Sequence, residues 1–421
     1  MIRSGLLLRR SAGFEIGENG LVVERPRTVT MSKIISLLTA LGFFLKQFYW
    51  FDSGTMQVGD YVLFLAAGLC VYSFGFRFSR IDFPLYAFFL MTCVINGIYS
   101  VVYGEVFDGS FFLAFVCLLI ACLFRPMLQE KGFLEAIQLS LRAALLLQIF
   151  LYVTNWGKWL DIWRYIGTFN DPNQYGYFIF SAFLGQHAID VLKGKRLNLI
   201  WVAVAAVGVV SSGSSGMYLG MVVFLACFLL FGNDRKPFTK ARFWWVIFLG
   251  VLLIVFLLFT KQIANWMQQS GIYLFQKNAR RLNSSAGVFK EFIEDRAIDR
   301  VFKWPEYFLF GSGEGGWERF SLVRWPLYLE IHSTVITLAY SYGLIPYTIL
   351  LIWVVRNLKH IRRGLLCVYV AFFVEALALV NHRQSIFWLI ILIASHECAK
   401  KGSGNLGDET AVSRELGLSL R

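Results

Sequence analysis

The residues best suited to acid–base chemistry lie together in the segment Glu330-Ile331-His332-Ser333-Thr334. Histidine titrates near neutral pH, so its imidazole can accept a proton from a hydroxyl group that attacks a substrate. We therefore predict His332 as a general base, with Glu330 beside it. The alternative is a structural role, which is the more common one for a lone histidine.

Positively charged and glycine-rich residues precede this segment. Arg280, Arg281 and Arg300 carry guanidinium groups, which bind phosphate groups in a bidentate manner. The run 310–317, which includes Gly313, offers backbone amides that can surround a phosphate group. It lacks the lysine and the strand–helix context of a nucleotide-binding loop. These residues predict a phosphate-binding site, with solvated surface arginines as the alternative.

Two further polar segments, GTFNDPNQYG and SSGSSG, precede apolar stretches. In the first, Asn170, Asp171 and Asn173 predict a contact with a sugar or a phosphate group. A helix N-cap followed by Pro172 is the alternative. In the second, Ser215 predicts an anion contact at a helix N-terminus. Close packing of helices through small residues is the alternative there.

The composition indicates the elements that must position these side chains. The chain has 421 residues, of which 57% are hydrophobic and only 16% are charged. Soluble globular domains are about 45–50% apolar and about 25% charged. The apolar residues occur in blocks, as helices that cross roughly 30 Å of hydrocarbon require, and not in the alternation of a β-barrel. The sequence therefore predicts an all-α, polytopic transmembrane protein.

About twelve blocks are predicted to span the membrane, at 34–51, 60–76, 83–103, 107–124, 134–154, 175–192, 197–210, 217–232, 243–260, 344–357, 364–380 and 384–397. Linkers after even-numbered blocks are rich in Lys and Arg, whereas the short linkers after odd-numbered blocks hold only Lys158, Arg164 and Arg383. Because basic residues are retained on the cytoplasmic side, both termini are predicted to be cytoplasmic. The four polar segments then share the opposite face.

This topology predicts the organisation of the whole chain. Residues 1–30 are expected to be a disordered tail or the product of a mis-called start, 31–260 hold spans one to nine, 261–343 form a large loop with short or re-entrant helices, 344–398 hold spans ten to twelve, and 399–421 form a cytoplasmic tail. The formal net charge of +13 is predicted to reflect this sidedness, not a nucleic-acid partner. The seven cysteines lack metal-ligand spacing, so no metal, cofactor or disulfide is predicted.

The order of these motifs resembles that of the O-antigen polymerase and O-antigen ligase superfamily. The shared features are GTFNDPNQYG, a Ser/Gly motif that opens a span, R-x-x-x-W and F-G-S-G-E-G-G in a long loop, and E-x-H-S; together they cover about residues 31–398. The resemblance implies a bacterial inner-membrane enzyme with a GT-C-like fold and a periplasmic active site. Such enzymes transfer a glycan from an undecaprenyl diphosphate carrier to a hydroxyl group, with inversion and without a metal ion.

The resemblance also implies roles for single residues. Arg300 matches the family's loop arginine, which is implied to contact the donor diphosphate. His332 and Glu330 match the histidine and the carboxylate of the E-x-H motif, and the histidine is implied to activate the acceptor hydroxyl. Ser215 departs from the family pattern, because it stands where an arginine is usual. Arg280 or Arg281 is the expected substitute.

We expect a polymerase, whose acceptor is another lipid-linked repeat. The expected partners are the lipid-linked donor and acceptor, membrane lipid and a chain-length regulator protein. A ligase that uses lipid A–core as the acceptor is the first alternative, and a lipid-linked-oligosaccharide flippase is the second. Two charges within spans, Arg142 and Glu375, each cost about 2.5–3.5 kcal/mol on insertion scales. We expect them to pair with each other, or Arg142 to face the donor groove.

Overall fold

The computed structural model describes most of the predicted spans and part of the large loop. It covers residues 14–16, 22–24, 27–52, 55–76, 78–104, 108–161, 164–231, 244, 248, 251, 259–271, 276, 279, 293, 297–313, 331–359 and 361–395. The described chain is mostly helical, as predicted. Two short antiparallel hairpins add β1 (Phe14–Ile16) with β2 (Val22–Glu24), and β3 (Lys158–Asp161) with β4 (Arg164–Gly167).

The described residues form the following helices, given in chain order. They are α1 (Arg27–Leu45), α2 (Val58–Phe74), α3 (Phe83–Tyr103), α4 (Asp108–Leu119), α5 (Arg125–Met127), α6 (Phe133–Val153), α7 (Pro172–Leu192), α8 (Leu199–Ser212), α9 (Ser215–Phe231), α10 (Thr260–Gln269), α11 (Arg300–Lys303), α12 (Thr334–Tyr342), α13 (Leu344–Leu358), α14 (Arg363–Ala378) and α15 (Ser385–Ser395). A π-helical stretch, Ile120–Phe124, joins α4 to α5.

Each predicted apolar block except the ninth coincides with a helix or its continuation. The ninth block, 243–260, falls largely outside the described residues. Two helical segments, Arg80–Val102 and Phe133–Val153, are long and apolar enough to cross a membrane by length and composition. The other apolar helices are shorter. Helix α1 begins at Arg27, so its first residues and the first hairpin both lie within 1–30, the segment predicted as a tail.

Helix α7 is the centre of the bundle. Its apolar residues are spread around the whole helix and not along one face, so other elements must enclose it on several sides. Every residue from Tyr175 to Val191 is buried, with α6, α8, α9 and α14 packed around it. Glycines bring these neighbours close: a Cβ at Gly220 would lie 2.8 Å from the Phe180 ring. Because α7 is enclosed along its length, the polar residues at its two ends are held in place.

One end of the bundle collects the polar sequence motifs. At the start of α7, the Tyr49 amide donates to the Thr168 carbonyl at 3.2 Å. The turn between α8 and α9 lies beside it, because a Cβ at Gly176 would come within 2.7 Å of the Ser212 hydroxyl. The connection between α14 and α15 follows, since a Cβ at Gly216 would lie 3.0 Å from Ala378. We call this end, where residues 167–176, 211–216 and 378–384 meet, the motif end.

A buried ion pair holds the opposite end. The Arg125 guanidinium binds both carboxylate oxygens of Asp82, at 2.8 and 2.6 Å, and it also donates to Asn357 and Ser395. The Trp353 indole donates to the same Asp82 carboxylate at 2.8 Å. Charge buried away from water is tolerated when it is paired and fully hydrogen-bonded. This network ties the start of α3 to α5, α13 and α15.

The expected pair between Arg142 and Glu375 is wrong. The Arg142 guanidinium donates to the Asp190 carboxylate and to the Gln186 side chain, and it lies 5.3 Å from the Trp201 ring. Asp190 belongs to the last turns of α7, which pack beside Arg142 on α6. Glu375 instead accepts from the Asn381 amide at 2.7 Å. Arg142 is therefore paired across the contact between α6 and α7, whereas Glu375 is bound by the connection that follows its own helix.

Candidate functional site

The first motif begins α7, and its acidic residue caps that helix. The Asp171 carboxylate accepts from the backbone amides of Asn173, at 2.7 Å, and of Gln174, at 3.2 Å. Pro172 occupies the first helical position, where no amide hydrogen is needed. The capping alternative is thus confirmed for Asp171. Asn170 is exposed and donates to the Phe51 carbonyl at 3.2 Å.

Arg164 is the cation that contacts both the first motif and the Ser/Gly motif. This half-buried residue opens β4. Its guanidinium donates to the Asn173 side chain and to the Ser212 carbonyl, both at 3.3 Å. Gly213 has a φ of +65°, and a Cβ there would lie 3.3 Å from the Arg164 side chain. The arginine is therefore held at the turn from which Ser215 begins α9.

The histidine motif meets the same end of the bundle through its neighbours. The Thr334 hydroxyl and amide both donate to the Leu379 carbonyl, at 2.8 and 2.9 Å. The Asn381 amide returns a bond to the Thr334 hydroxyl at 2.7 Å. Ser333 caps α12, and His332, directly before it, is half-buried. His332 is thus anchored, one residue from a cap, beside the α14–α15 connection.

Arg300 is packed into the cluster that supports this motif. It is 0% exposed, and Tyr340 donates its hydroxyl to the carbonyls of Arg300, at 3.4 Å, and Trp304, at 3.2 Å. Ile331, which directly precedes His332, shares a small apolar cluster with Ile298 and Tyr340. The loop arginine and the histidine segment are therefore joined through this cluster. The predicted contact of Arg300 with a diphosphate stays a prediction.

The described part of the glycine run, residues 310–313, packs against the backbone at the end of α12. The amides of Ser312 and Gly313 donate to the carbonyls of Tyr340, at 2.9 Å, and Ser341, at 2.8 Å. Gly313 has a φ of +72°, and a Cβ there would meet the Tyr99 ring at 2.8 Å. These two amides already donate to carbonyl groups, so they are not available to a phosphate group. For Gly313 this differs from the prediction.

Three predicted site residues, Arg280, Arg281 and Glu330, lie outside the described residues. Of the others, the structure brings Asn173 and the turn before Ser215 together through Arg164. It places the segment after His332 against the α14–α15 connection. Asn170 points instead to the loop after α1, through the Phe51 carbonyl. Gly313 belongs to the packing of residues 309–313 against 340–343.

Glu375, which was predicted as a charge within a span, lies beside the motif end. The carboxylate of Glu375 is fully buried, with one oxygen bound to Asn381. A cavity of about 20 Å³ lies between Asn381, Gln384, Tyr177 and the end of α1. A polar cavity needs about 10–15 Å³ to hold a water molecule. This space therefore has room for a single water molecule and is too small for a sugar.

His382 adds a buried imidazole to the same connection. Burial lowers the pKa of His382 to about 3, and the positive charge of Arg383 lowers it in the same direction. In the unfolded chain a histidine titrates near pH 6.5. Below that pH the unfolded chain binds more protons than the native fold. The stability that neutral His382 contributes is therefore complete above about pH 6.5 and is lost as the pH falls toward 3.

Replacing His382 by asparagine should make the protein less sensitive to acid. We expect the melting temperature of wild type to fall between about pH 6.5 and pH 3 more steeply than that of His382→Asn, because the variant has no imidazole to protonate on unfolding. Melting of the purified protein, followed by tryptophan fluorescence across this pH range, measures the difference. Parallel losses in the two proteins would contradict a neutral, buried His382.

A scan against protein-family models and a search of curated proteins both found no match for the chain.

Proposed function

We propose that this chain is a multi-pass membrane glycosyltransferase that joins undecaprenyl-diphosphate-linked oligosaccharide repeats, as an O-antigen or exopolysaccharide polymerase does. One observation carries the proposal. Motifs that are far apart in sequence, at 167–176, 211–216 and 331–334, meet around the α14–α15 connection at one end of a helical bundle. An enzyme that joins two large lipid-linked glycans needs its catalytic and binding side chains at one face of the membrane, where both substrates can reach them.

The outer surface of the bundle supports a location in a membrane. Large apolar side chains on several helices are exposed, among them Leu37, Tyr72, Val101, Leu139 and Leu199. Soluble proteins rarely expose contiguous apolar patches beyond a few hundred Å². Two helical segments have the length and composition of a membrane span. We propose the bacterial inner membrane, about twelve spans, cytoplasmic termini and a periplasmic motif end.

The proposed reaction forms one glycosidic bond and breaks the bond between the donor sugar and the diphosphate. The acceptor hydroxyl attacks the anomeric carbon of the donor, whose bond to the diphosphate oxygen breaks. The proton passes from the hydroxyl to the His332 imidazole, and undecaprenyl diphosphate leaves with the bonding electrons. Displacement in a single step inverts the anomeric carbon. A positioned base contributes about 10²–10⁴-fold to such a step.

Negative charge collects on the leaving diphosphate, and Arg164 is our candidate to bind it. The guanidinium is half-buried, fixed by two hydrogen bonds and placed beside the N-terminus of α9. Preorganised charge in a partly dehydrated site stabilises a developing anion. In this proposal Arg164 fills the role of the arginine that the family pattern places at Ser215. Arg300 adds buried positive charge to the cluster that holds the histidine segment.

Replacing Arg164 by alanine should lower kcat/KM for the lipid-linked donor by about 10- to 100-fold. This range follows from about 1.5–3 kcal/mol for a hydrogen bond to a charged group. Arg164→Lys should recover only part of the loss, because an ammonium group cannot bind two phosphate oxygens in one plane. Lys158→Ala is the matched control, since Lys158 is an exposed cation of the same hairpin. Equal effects of Arg164→Ala and Lys158→Ala would contradict the assignment.

Proteoliposomes test the function against its alternatives. The purified protein is supplied with lipid-linked repeats, with or without lipid A–core, in the absence of ATP and of an ion gradient. A polymerase yields longer lipid-linked glycans, and a ligase yields lipid A–core that carries the glycan. Movement of the unchanged repeat across the bilayer, with no new glycosidic bond, would identify a flippase and refute the proposal.

A further inference from the structure

A buried glutamine fixes the backbone of residues 50–52, between α1 and α2. Gln57 is 1% exposed. Its side-chain oxygen accepts from the amides of Trp50, at 3.1 Å, and Phe51, at 3.2 Å. Its side-chain nitrogen donates to the carbonyls of Phe51 and Asp52, both at 3.2 Å. One buried side chain therefore fixes the backbone of the residues on the outer side of this loop.

The ion pair behind Gln57 makes the loop more rigid. The Lys46 ammonium contacts both carboxylate oxygens of Asp60, at 2.9 and 2.7 Å, and both side chains are buried. The same carboxylate accepts from the Gln57 amide at 3.0 Å. The end of α1, the loop and the start of α2 thus form one hydrogen-bonded unit. A loop fixed in this way pays little entropy when a ligand binds.

The fixed loop presents aromatic rings around a large open cavity. Trp50 and Tyr61 are each 57% exposed, and Phe51 is 47% exposed. They line a space of about 480 Å³ together with Asp52, Thr55 and Met56. Small-molecule sites measure about 300–1,000 Å³. The space therefore has room for a sugar residue.

The chemistry of this lining suits a sugar. Aromatic rings offer flat apolar faces to the C–H groups of a pyranose. The Asp52 carboxylate and the Thr55 hydroxyl both offer oxygen acceptors to sugar hydroxyl groups, because the Thr55 hydroxyl already donates its own hydrogen to the Asp52 carbonyl at 2.7 Å. Aromatic side chains that only anchor a protein at the membrane interface need neither a cavity nor a carboxylate. The combination of rings and short polar groups in a concave site favours a glycan.

The cavity borders the motif end. The exposed Asn170 side chain donates to the Phe51 carbonyl at 3.2 Å. The Tyr49 and Phe169 rings lie 5.1 Å apart, and the Tyr49 amide donates to Thr168. The loop is therefore attached to the motif that begins α7. A glycan that extends from the motif end would reach these rings.

We propose that this cavity is a sugar-binding subsite, which holds a residue of the substrate glycan away from the reacting bond. Trp50 and Tyr61 stack on the sugar, and Asp52 and Thr55 bind its hydroxyl groups. The inference rests on the proposed function, because it takes a glycan to be the substrate. It assigns to Asn170 a role in positioning the loop, since Asn170 bonds to the backbone of Phe51 and not to the cavity.

Binding of free oligosaccharides tests the subsite apart from catalysis. The probes are repeat-unit oligosaccharides released by mild acid from the surface polysaccharide of the organism that encodes the chain. They carry no lipid, and binding to the full-length protein in detergent is measured by calorimetry. We expect Trp50→Ala and Asp52→Asn each to raise Kd by about three- to tenfold. Trp156→Ala should leave Kd unchanged, because Trp156 is an exposed tryptophan, 75% accessible, that does not line the cavity.

The outcomes separate this inference from the proposed function. Equal Kd values for wild type, Trp50→Ala and Trp156→Ala, or no binding of any probe by wild type, would overturn the subsite. If wild type still lengthens lipid-linked glycans in that case, the proposed function stands alone. If the probes bind through Trp50 and no glycan is lengthened, the chain is a glycan-binding protein and the proposed reaction fails.

Discussion

Replacing His332 by alanine should lower the rate of glycan elongation by about 10²–10⁴-fold, the contribution of a positioned general base. His332 is half-buried and stands between buried Ile331 and the helix cap Ser333, so its backbone is fixed on both sides. Thr334, which the substitution leaves in place, anchors this segment through the Leu379 carbonyl. We therefore expect the variant to fold and to insert normally. The measurement is the turnover of lipid-linked repeats by the purified protein.

A second substitution separates basicity from shape. His332→Gln keeps a polar side chain of similar length that can still hydrogen-bond, but it cannot take up a proton near neutral pH. A loss as large as that of alanine is expected if the imidazole acts as a base. Glycans of wild-type length from either variant would exclude His332 from catalysis. Full activity of the glutamine variant alone would indicate a positioning residue.

The second large effect concerns stability. Asp82→Ala should lower the free energy of unfolding by about 3–5 kcal/mol, since it leaves the buried Arg125 guanidinium without its carboxylate. The Trp353 indole loses its acceptor in the same variant. Unfolding in mixed detergent micelles, followed by fluorescence, gives the difference. Activity per folded molecule should stay close to wild type, because the network lies at the end opposite the motifs.

Matched variants test the physical reason for this loss. The double variant Asp82→Ala with Arg125→Met should be more stable than Asp82→Ala alone, because the unpaired charge is gone. Lys303→Ala, which breaks an ion pair to Asp299 within one helix at the surface, should cost less than about 1 kcal/mol. A loss in Asp82→Ala no larger than that of Lys303→Ala would show that the network contributes little.

Much of the helical fold could be predicted from the sequence, because apolar blocks separated by short polar linkers form helices almost regardless of their neighbours. The cap at Asp171 could also be predicted, since capping depends on local sequence alone. The predicted pair between Arg142 and Glu375 was wrong because pairing, unlike capping, depends on how distant helices pack. Which charge lies beside Arg142 depends on how α6 packs on α7, and Asp190 was the partner that packing supplied.

The candidate site was harder to predict because its key contacts join distant elements. Arg164 was counted only as a linker charge, and nothing in its own segment indicates that it reaches Ser212. The one sequence signal for Arg164 was that its linker was predicted to lie on the same side of the membrane as the motifs. Gly313 has a positive φ because residues 309–313 pack closely on 340–343, a contact no local pattern reveals. His382 gave no signal either, since its burial depends on the surrounding helices.

We propose that this chain makes a glycosidic bond at the expense of a lipid diphosphate. The most direct measurement follows both products when the purified protein is incubated with lipid-linked repeats alone. We expect one undecaprenyl diphosphate to be released for each repeat added to a glycan, and His332→Ala to release almost none. Longer glycans without that release, or no release and no lengthening by the wild-type protein, would contradict it.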